Sequence, residues 1–511
     1  MYNDVYGRGR AGETELSVAA SWRDRLIEIY PGFLSWLVLL APIWLTLIHP
    51  VAGTMFVGLA IAIFLVRAGG YGVLAMLNRR LLLEAMERDY LTMLEAFPDW
   101  RTYRVQFLIR AFREGNQEML RATLESIYGN RWRRDGKRMT DVEVIFATEI
   151  DDPITPPIVD QLAKEYDGRL KVRQIVHPVE KDVLPGPSSA MHYAGRVMYD
   201  EVLKAGEDPS KVIVVDLDAD TLLHHNYLPV LMHRFMSDPQ RDCRVFQPVV
   251  LFTTDYWHAP LHSRLAALGT SVLTVGWNRH PEIAFTGAAG TLALYHSVDF
   301  WPTLSHSQDS GIELKLRMRY RGKFDVVGIP VPAYVYPVMR LGDRSTMGDR
   351  LRSYAKSFRT LFRQSARWRE GPMDEFIEAV KQADLYFVTM KLWSGLERDT
   401  LTLLPGYGFI AAKFVIDFAY PGQVVGYLQP VQGVLLTIVT LLGLSVFWQM
   451  LSTPQLVHPA ASVPRRILEI VLFWLTFSIY VPIVTACAGL KTSTAYAFGR
   501  KPSGHYVPTP K

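Results

Sequence analysis

No Asp, Glu, Lys or Arg occurs from Pro31 to Val66, and this uncharged run constrains the fold more than any other feature of the chain. An α-helix needs only about 20 apolar residues, rising roughly 1.5 Å each, to cross a hydrocarbon layer ~30 Å thick. The run is therefore too long for one perpendicular helix, and His49-Pro50 falls in its middle. It reads as a hairpin over residues 32–77, with one span near Gly32 to Ile48 and a second near Val51 to Leu77. Arg67 lies inside the second span and has to snorkel or face protein there. A buried hairpin in a soluble core is the competing reading, but few cores need so long an uncharged stretch.

The far end repeats the pattern. Val424 to Leu451 and Ile470 to Leu490 lack formal charge, and between them Ser452 to Pro464 reads as a short loop. Leu401 to Tyr420 differs: Lys413 and Asp417 share one helical face, which fits an interfacial amphipathic helix better than a fifth span. Four spans put both termini and the long middle on one side. Arg23, Arg25, Arg79, Arg80, Lys491, Arg500 and Lys501 flank that side, and the positive-inside tendency makes it cytoplasmic. Arg465 and Arg466 fall opposite, and a fifth span would move the C-terminus outside.

The expected organisation has five parts. Residues 1–100 form an N-terminal segment with the hairpin, 101–375 a cytoplasmic domain, and 376–422 interfacial helices. Residues 423–490 give two C-terminal spans and 491–511 a cytoplasmic tail. That describes a multi-pass protein of the plasma (inner) membrane. Composition agrees: 49% hydrophobic residues beside 21% charged ones suit a soluble domain fused to membrane segments. A net charge of +5 is modest for 511 residues and does not argue for a nucleic-acid partner. Cys243 and Cys487 are the only cysteines, which excludes a disulfide framework or a four-cysteine zinc site.

From Arg101 to Pro337 short β-branched runs alternate with helical segments. The clearest strands are Val105 to Ile109, Val142 to Thr148, Lys171 to Val176 and Val212 to Val215, with helices such as Glu118 to Tyr128 and Ile158 to Tyr166 between. The alternation predicts an α/β fold with a largely parallel sheet covered on both faces. Ligands on such sheets bind beyond the carboxyl ends of the strands.

The strand Val212 to Val215 runs into Asp216-Leu217-Asp218-Ala219-Asp220. Alternating carboxylates after a buried strand repel one another strongly without a cation. A Mg²⁺ or Mn²⁺ ion, held by one or two of them and by donor phosphates, resolves that repulsion; a solvated acidic turn is the alternative. Downstream, Phe285-Thr286-Gly287-Ala288-Ala289-Gly290 lets a ligand or another strand approach the backbone closely. Ser307-Gln308-Asp309-Ser310 precedes a helix-like run, so Asp309 is either a cap or a positioned base. Gln364, Arg367 and Trp368 lie on one face of a basic helix, where Arg can chelate a diphosphate and an indole can stack on a sugar.

In this order the motifs resemble the membrane-bound family 2 glycosyltransferases, relatives of cellulose, chitin and hyaluronan synthases. The resemblance covers Tyr103 to Trp368, and Gln-x-x-Arg-Trp is its most specific part. It implies a GT-A-type nucleotide-diphospho-sugar transferase domain inserted between transmembrane helices, and inverting transfer from a nucleotide sugar, UDP-linked by expectation. The acceptor is then a growing polysaccharide or a lipid such as a polyprenyl phosphate. Carried over, Asp218 and Asp220 hold metal and diphosphate, and Asp309 matches the catalytic base. Gln364, Trp368 and Gly287 line the acceptor, and Arg367 reaches the diphosphate. Ala111-Phe112-Arg113-Glu114 resembles the family's first-strand turn, with Glu114 at the donor nucleotide, and Asp151 or Asp152 contacts the nucleotide base.

Departures are visible too. Arg110 stands where the family often has Pro, Gln308 replaces a Glu, and Ser188-Ser189-Ala190-Met191-His192-Tyr193 replaces Lys-x-x-Ala-Leu-Asn. Tyr386 to Lys391 resembles a gating-loop motif. A membrane assembly component that binds nucleotide without catalysis is the competing class. Four spans make a thin wall for a wide polymer pore, so either a narrow path or assembly with a homo-oligomer or channel partner would be needed.

Overall fold

A computed structural model describes residues 22–64, 66, 69–130, 141–178, 183, 186–281, 284–303, 308–337, 347–381, 429–458 and 461–498. The chain opens with helices α1 (Trp22–Ile48), α2 (Pro50–Phe64) and α3 (Gly70–Glu87). It then runs through β1 (Arg104–Arg110), α4 (Gln117–Asn130), β2 (Asp141–Glu149), α5 (Thr155–Glu165), β3 (Lys171–His177), α6 (Pro187–Lys204) and β4 (Val212–Asp218). Next come β5 (Thr221–Leu223), α7 (Tyr227–Ser237), β6 (Arg244–Leu251), α8 (Leu261–Gly276), β7 (Ala288–Thr291), α9 (Gln308–Tyr320) and β8 (Asp325–Val335). The chain closes with α10 (Met347–Lys381), α11 (Gln429–Leu451) and α12 (Val463–Ala497).

Among the described residues the strands form one mixed eight-stranded sheet, in the order β3-β2-β1-β4-β7-β6-β8-β5. The fold class is α/β. The half from β3 to β4 is parallel throughout, as the alternation of strand and helix requires. The other half departs from the expected parallel sheet: β7 runs antiparallel to β4 and β6, and β5 antiparallel to β8. Only β6 and β8 pair in parallel there, with a register shift between Pro248 and Val249.

Strands buried on both faces read as continuous apolar runs, and two cores show it. Phe107, Ile109, Val144, Phe146 and Leu217 face one way, onto Leu120 and Leu124 of α4, Val159 and Leu162 of α5, and Leu228 of α7. Leu108, Ile145 and Val214 face the other way, onto Ala190, Met191 and Ala194 of α6 and Ile312 and Leu316 of α9. The period of two thus decides which strand-end side chains meet which helix.

The helical part attaches through a third core. Ala75, Leu82 and Met86 of α3 pack with Leu265, Leu268 and Val272 of α8 and Val446 and Met450 of α11. Asn78 of α3 donates to the carbonyls of Val275 and Gly276 at 3.2 and 2.9 Å, capping the end of α8. Helices α1 and α12 lie together: Gly32 sits against Ser493 and Ala497, and the Trp36 indole N–H donates to Thr494 at 3.0 Å. In α8, Arg264 meets Glu469 of α12 at 2.6 Å.

Among the described residues one helix, Arg25–Ile48, is long and apolar enough to cross a membrane. Within the expected second span, Val51 to Leu77, α2 and the start of α3 are helical, and residues 65, 67 and 68 between them lie outside the described residues. Helix α3 buries Ala75, Asn78, Leu82 and Met86. Arg67, Leu401 to Tyr420 and Tyr386 to Lys391 lie outside the described residues. Helix α12 continues through Lys491 to Ala497, so the segment expected as a tail begins as helix.

Candidate active site

The carboxyl ends of β1 and β4 build the centre of the site. In the parallel register Arg110 lies directly opposite Asp218 and Leu108 opposite Asp216. Alternation then puts Arg110, Asp216 and Asp218 on the face that α6 and α9 cover, with Leu217 turned to the other core. The first turn of α9 brings in Asp309 from the same side.

The four groups meet. Arg110 Nε binds Asp218 Oδ1, while its Nη1 lies 2.7 Å from Asp309 Oδ1 and 3.3 Å from Asp216 Oδ1. The guanidinium side chain is only 4% exposed, against 36% for Asp218 and 27% for Asp309. Burial opposes its charge, but Asp216, Asp218 and Asp309 outweigh that and push Arg110 well above its ordinary value. Burial also pushes Asp216 up; Arg110 pulls it down, and Asp309 and Asp218 add to the rise. Arg110 thus places one positive charge among these carboxylates.

Asp309 is therefore more than a cap: it reaches across to β1. Its helix is fixed by Glu313, one turn on, whose Oε2 accepts from the Ala284 N–H at 3.0 Å and whose Oε1 accepts from Arg317 at 2.7 Å. Lys315, on the same helix, donates to the carbonyls of Asp299 and Phe300 at 2.9 and 2.7 Å. Both residues adopt left-handed φ angles, +54° and +51°, so the ammonium holds a strained turn against α9. Burial lowers Lys315 to about 8. Asp216, Asp309, Glu313, Phe285 and Tyr295 enclose a cavity of only about 10 Å³ behind the cluster.

Gly287, expected at the acceptor, is packed beside Asp216. Its N–H donates to the Asp216 carbonyl at 2.6 Å, and its carbonyl accepts from the Tyr227 hydroxyl, also at 2.6 Å. At φ +82° it is left-handed, and a Cβ there would lie 2.7 Å from Pro248 Cγ. The glycine is buried and sets the backbone beside Asp216 through packing. Gly287→Ala is expected to cost about 1–3 kcal/mol through strain alone, read as a lower midpoint in chemical denaturation.

Asp220 follows β4 and is fully buried. Thr286 ties this corner together, accepting from the Asp218 N–H at 2.8 Å and sharing a hydrogen bond with Thr221 at 2.8 Å. After β2 the two adjacent carboxylates divide. Asp152 is buried and accepts from the N–H groups of Arg113, Ile154 and Thr155 and from the Thr155 hydroxyl. It anchors the β1 loop, where Arg113 is left-handed at φ +56° and the Glu114 N–H donates to Thr155 at 2.8 Å. Asp151 beside it is exposed.

Helix α10 packs against α9. On it, Gln364 is half-buried and Trp368 is 40% exposed, its ring 6.5 Å from Phe252; the Arg367 side chain lies outside the described residues.

Sequence reasoning missed the Glu149–His177 pair. Glu149 Oε2 lies 2.7 Å from His177 Nδ1, and Oε1 accepts from the Gly186 N–H at 2.9 Å, all buried. An acidic and an imidazole group ending adjacent parallel strands was the available signal. In the replaced Lys-x-x-Ala-Leu-Asn stretch, Ser188 and His192 of α6 bind the carbonyls of Pro302 and Trp301, so these residues hold the loop that leads to Asp309.

No family model matches the chain, and no curated protein matches it either.

Proposed function

We propose that the protein is a metal-dependent, inverting glycosyltransferase that moves a sugar from a nucleotide diphosphate donor to a growing polysaccharide at the membrane. The observation that carries this reading is the convergence of Asp218, after a parallel strand, and Asp309, in a helix's first turn, on one buried guanidinium. The position is where open α/β sheets bind ligands. A GT-A-type arrangement accounts for both carboxylates and for the basic helix packed behind them.

Asp216, Asp218 and Asp309 meet on Arg110 beyond β1 and β4, and Asp220 follows β4 two residues after Asp218. Among the described residues no group of three or more His, Cys, Asp or Glu is arranged to hold a metal ion. A donor-borne Mg²⁺ needs only one or two protein carboxylates, and Asp218 with Asp220 provides that number. When bound, Mg²⁺ or Mn²⁺ supplies neutralising charge at the leaving diphosphate.

The chain's own groups do the rest. Asp309, held by Arg110 at a defined position, accepts the proton of the acceptor hydroxyl as that oxygen attacks the sugar. Trp368 offers an exposed ring face for an acceptor sugar, and Asp151 an exposed carboxylate for the base of the donor. A hairpin that begins with α1 and α2, together with the uncharged stretches of α11 and α12, embeds the protein in the plasma membrane as a multi-pass unit, with this site on the cytoplasmic side.

The test is to incubate the detergent-solubilised chain with a panel of nucleotide sugars and size the product. One donor consumed into long chains is expected. Products no longer than a disaccharide would overturn the polysaccharide acceptor, and a one-sugar product that partitions into organic solvent would replace it with a lipid acceptor.

A further inference from the structure

Away from the acidic cluster, α3 and the end of α8 enclose a cavity of about 490 Å³. Its walls are Tyr71, Leu74, Leu77 and Leu81 on one side and Trp277 on the other. Leu74, Leu77 and Leu81 are exposed at 44%, 62% and 37%, an apolar stripe at helical spacing that no other element of the described chain covers. Such a stripe is costly in water, at about 25 cal/mol per Å² of apolar surface. The rim is the opposite in character. Arg80, Arg279 and His280 stand there, and both Arg279 and His280 are exposed. Arg80 meets Glu84 of its own helix at 2.8 Å.

A third observation comes from the wall itself. Trp277 is 7% exposed, yet its indole N–H donates to no acceptor among the described residues. Its ring lies edge-on to Tyr71 at 5.8 Å and stacks on Phe285 at 6.3 Å, 4° from parallel. Phe285 in turn lines the small cavity beside Asp216 and Asp309. One aromatic pair therefore forms the partition between the apolar groove and the acidic site.

The geometry points to a binding site for an anionic phospholipid, with its acyl chain along Leu74, Leu77 and Leu81 and its phosphate at Arg80 and Arg279. The hydrocarbon covers the stripe, the guanidiniums take the phosphate, and the Trp277 N–H gains an acceptor in the headgroup or ester region. Another face of α3 packs on α11, which itself exposes Val434, Ile438 and Leu441. This assignment rests on the membrane half of the proposed function and not on its chemistry. Through the Trp277–Phe285 stack, lipid occupancy would set the position of the wall facing Asp309.

Trp277 is itself the probe. The full chain is placed in nanodiscs of phosphatidylcholine, with either brominated phosphatidylglycerol or brominated phosphatidylcholine as the minor lipid, and tryptophan quenching is measured. Brominated phosphatidylglycerol is expected to quench at lower mole fraction, and Trp277→Phe to remove that component. Arg80→Gln with Arg279→Gln, both at exposed positions, is expected to weaken the preference about tenfold while leaving the fold intact. Quenching that is equal for the two lipids, or unchanged in Trp277→Phe, would overturn the site. Absent quenching in a dimeric chain would place a second copy on the stripe and also overturn it. A chain that fails to enter nanodiscs at all would remove the membrane reading together with the site.

Discussion

Arg110→Met is expected to destabilise the folded chain by about 3–5 kcal/mol at neutral pH, the magnitude found when one partner of a buried ion pair is removed. Methionine fills much the same space, so the loss is electrostatic and not a cavity. Three carboxylates that now share one guanidinium, Asp216, Asp218 and Asp309, would be left facing one another. Without Arg110 their folded values rise above those of the unfolded chain, so the folded state binds more protons, and stability falls as pH rises through the raised values. The penalty should therefore be large near neutral pH and shrink toward pH ~5, where the carboxylates take up protons. Thermal unfolding of the variant and the parent at both pH values measures it. A penalty independent of pH would mean that Arg110 acts by packing. Arg110→Lys keeps one charge without the fork that spans three partners, and an intermediate loss is expected.

The prominence of Arg110 shows where sequence reading stops. A lone arginine ending the apolar strand Arg104–Arg110 must be paired, because an isolated buried charge is too costly. Its partners, however, are set by the β1–β4 register and by a helix almost two hundred residues later. The parallel half of the sheet was legible because β-branched runs, buried on both faces, alternate with amphipathic helices; the observed strands β1 and β2 extend the expected ones by a residue at each end. The antiparallel half was not. Strand β8 contains Gly328, Pro330 and Pro332, residues that argue against a central strand, and β6 carries Pro248 at its register shift. Asp218 and Asp309 could be singled out by residue type and position, whereas the roles of Asp152 and Gly287 depend on neighbours that are distant in sequence. A carboxylate with four internal donors and a glycine facing a proline ring look no different, in sequence, from a ligand-binding pair.

The second large effect concerns Asp309. Asp309→Asn keeps the side chain's shape and its acceptor oxygen toward Arg110, so the helix start and the cluster should persist. The amide cannot take a proton from an acceptor hydroxyl. Turnover is expected to fall by about two to four orders of magnitude, with donor binding nearly unchanged because the proposed nucleotide contacts lie on other residues. A cap or purely structural role predicts the reverse: thermal stability falls and turnover per folded molecule stays. Measuring the unfolding midpoint and nucleotide affinity beside the rate separates the two.

The central claim is that this carboxylate cluster transfers a sugar from a nucleotide donor, and one measurement bears on it most directly. Release of nucleoside diphosphate is followed from each of several nucleotide sugars, with Mn²⁺, with Mg²⁺ and with chelator, for the parent chain and Asp309→Asn. The account predicts release from one donor, dependent on the metal and lost in the variant. Release that persists unchanged in Asp309→Asn, or no binding of any donor, would contradict it.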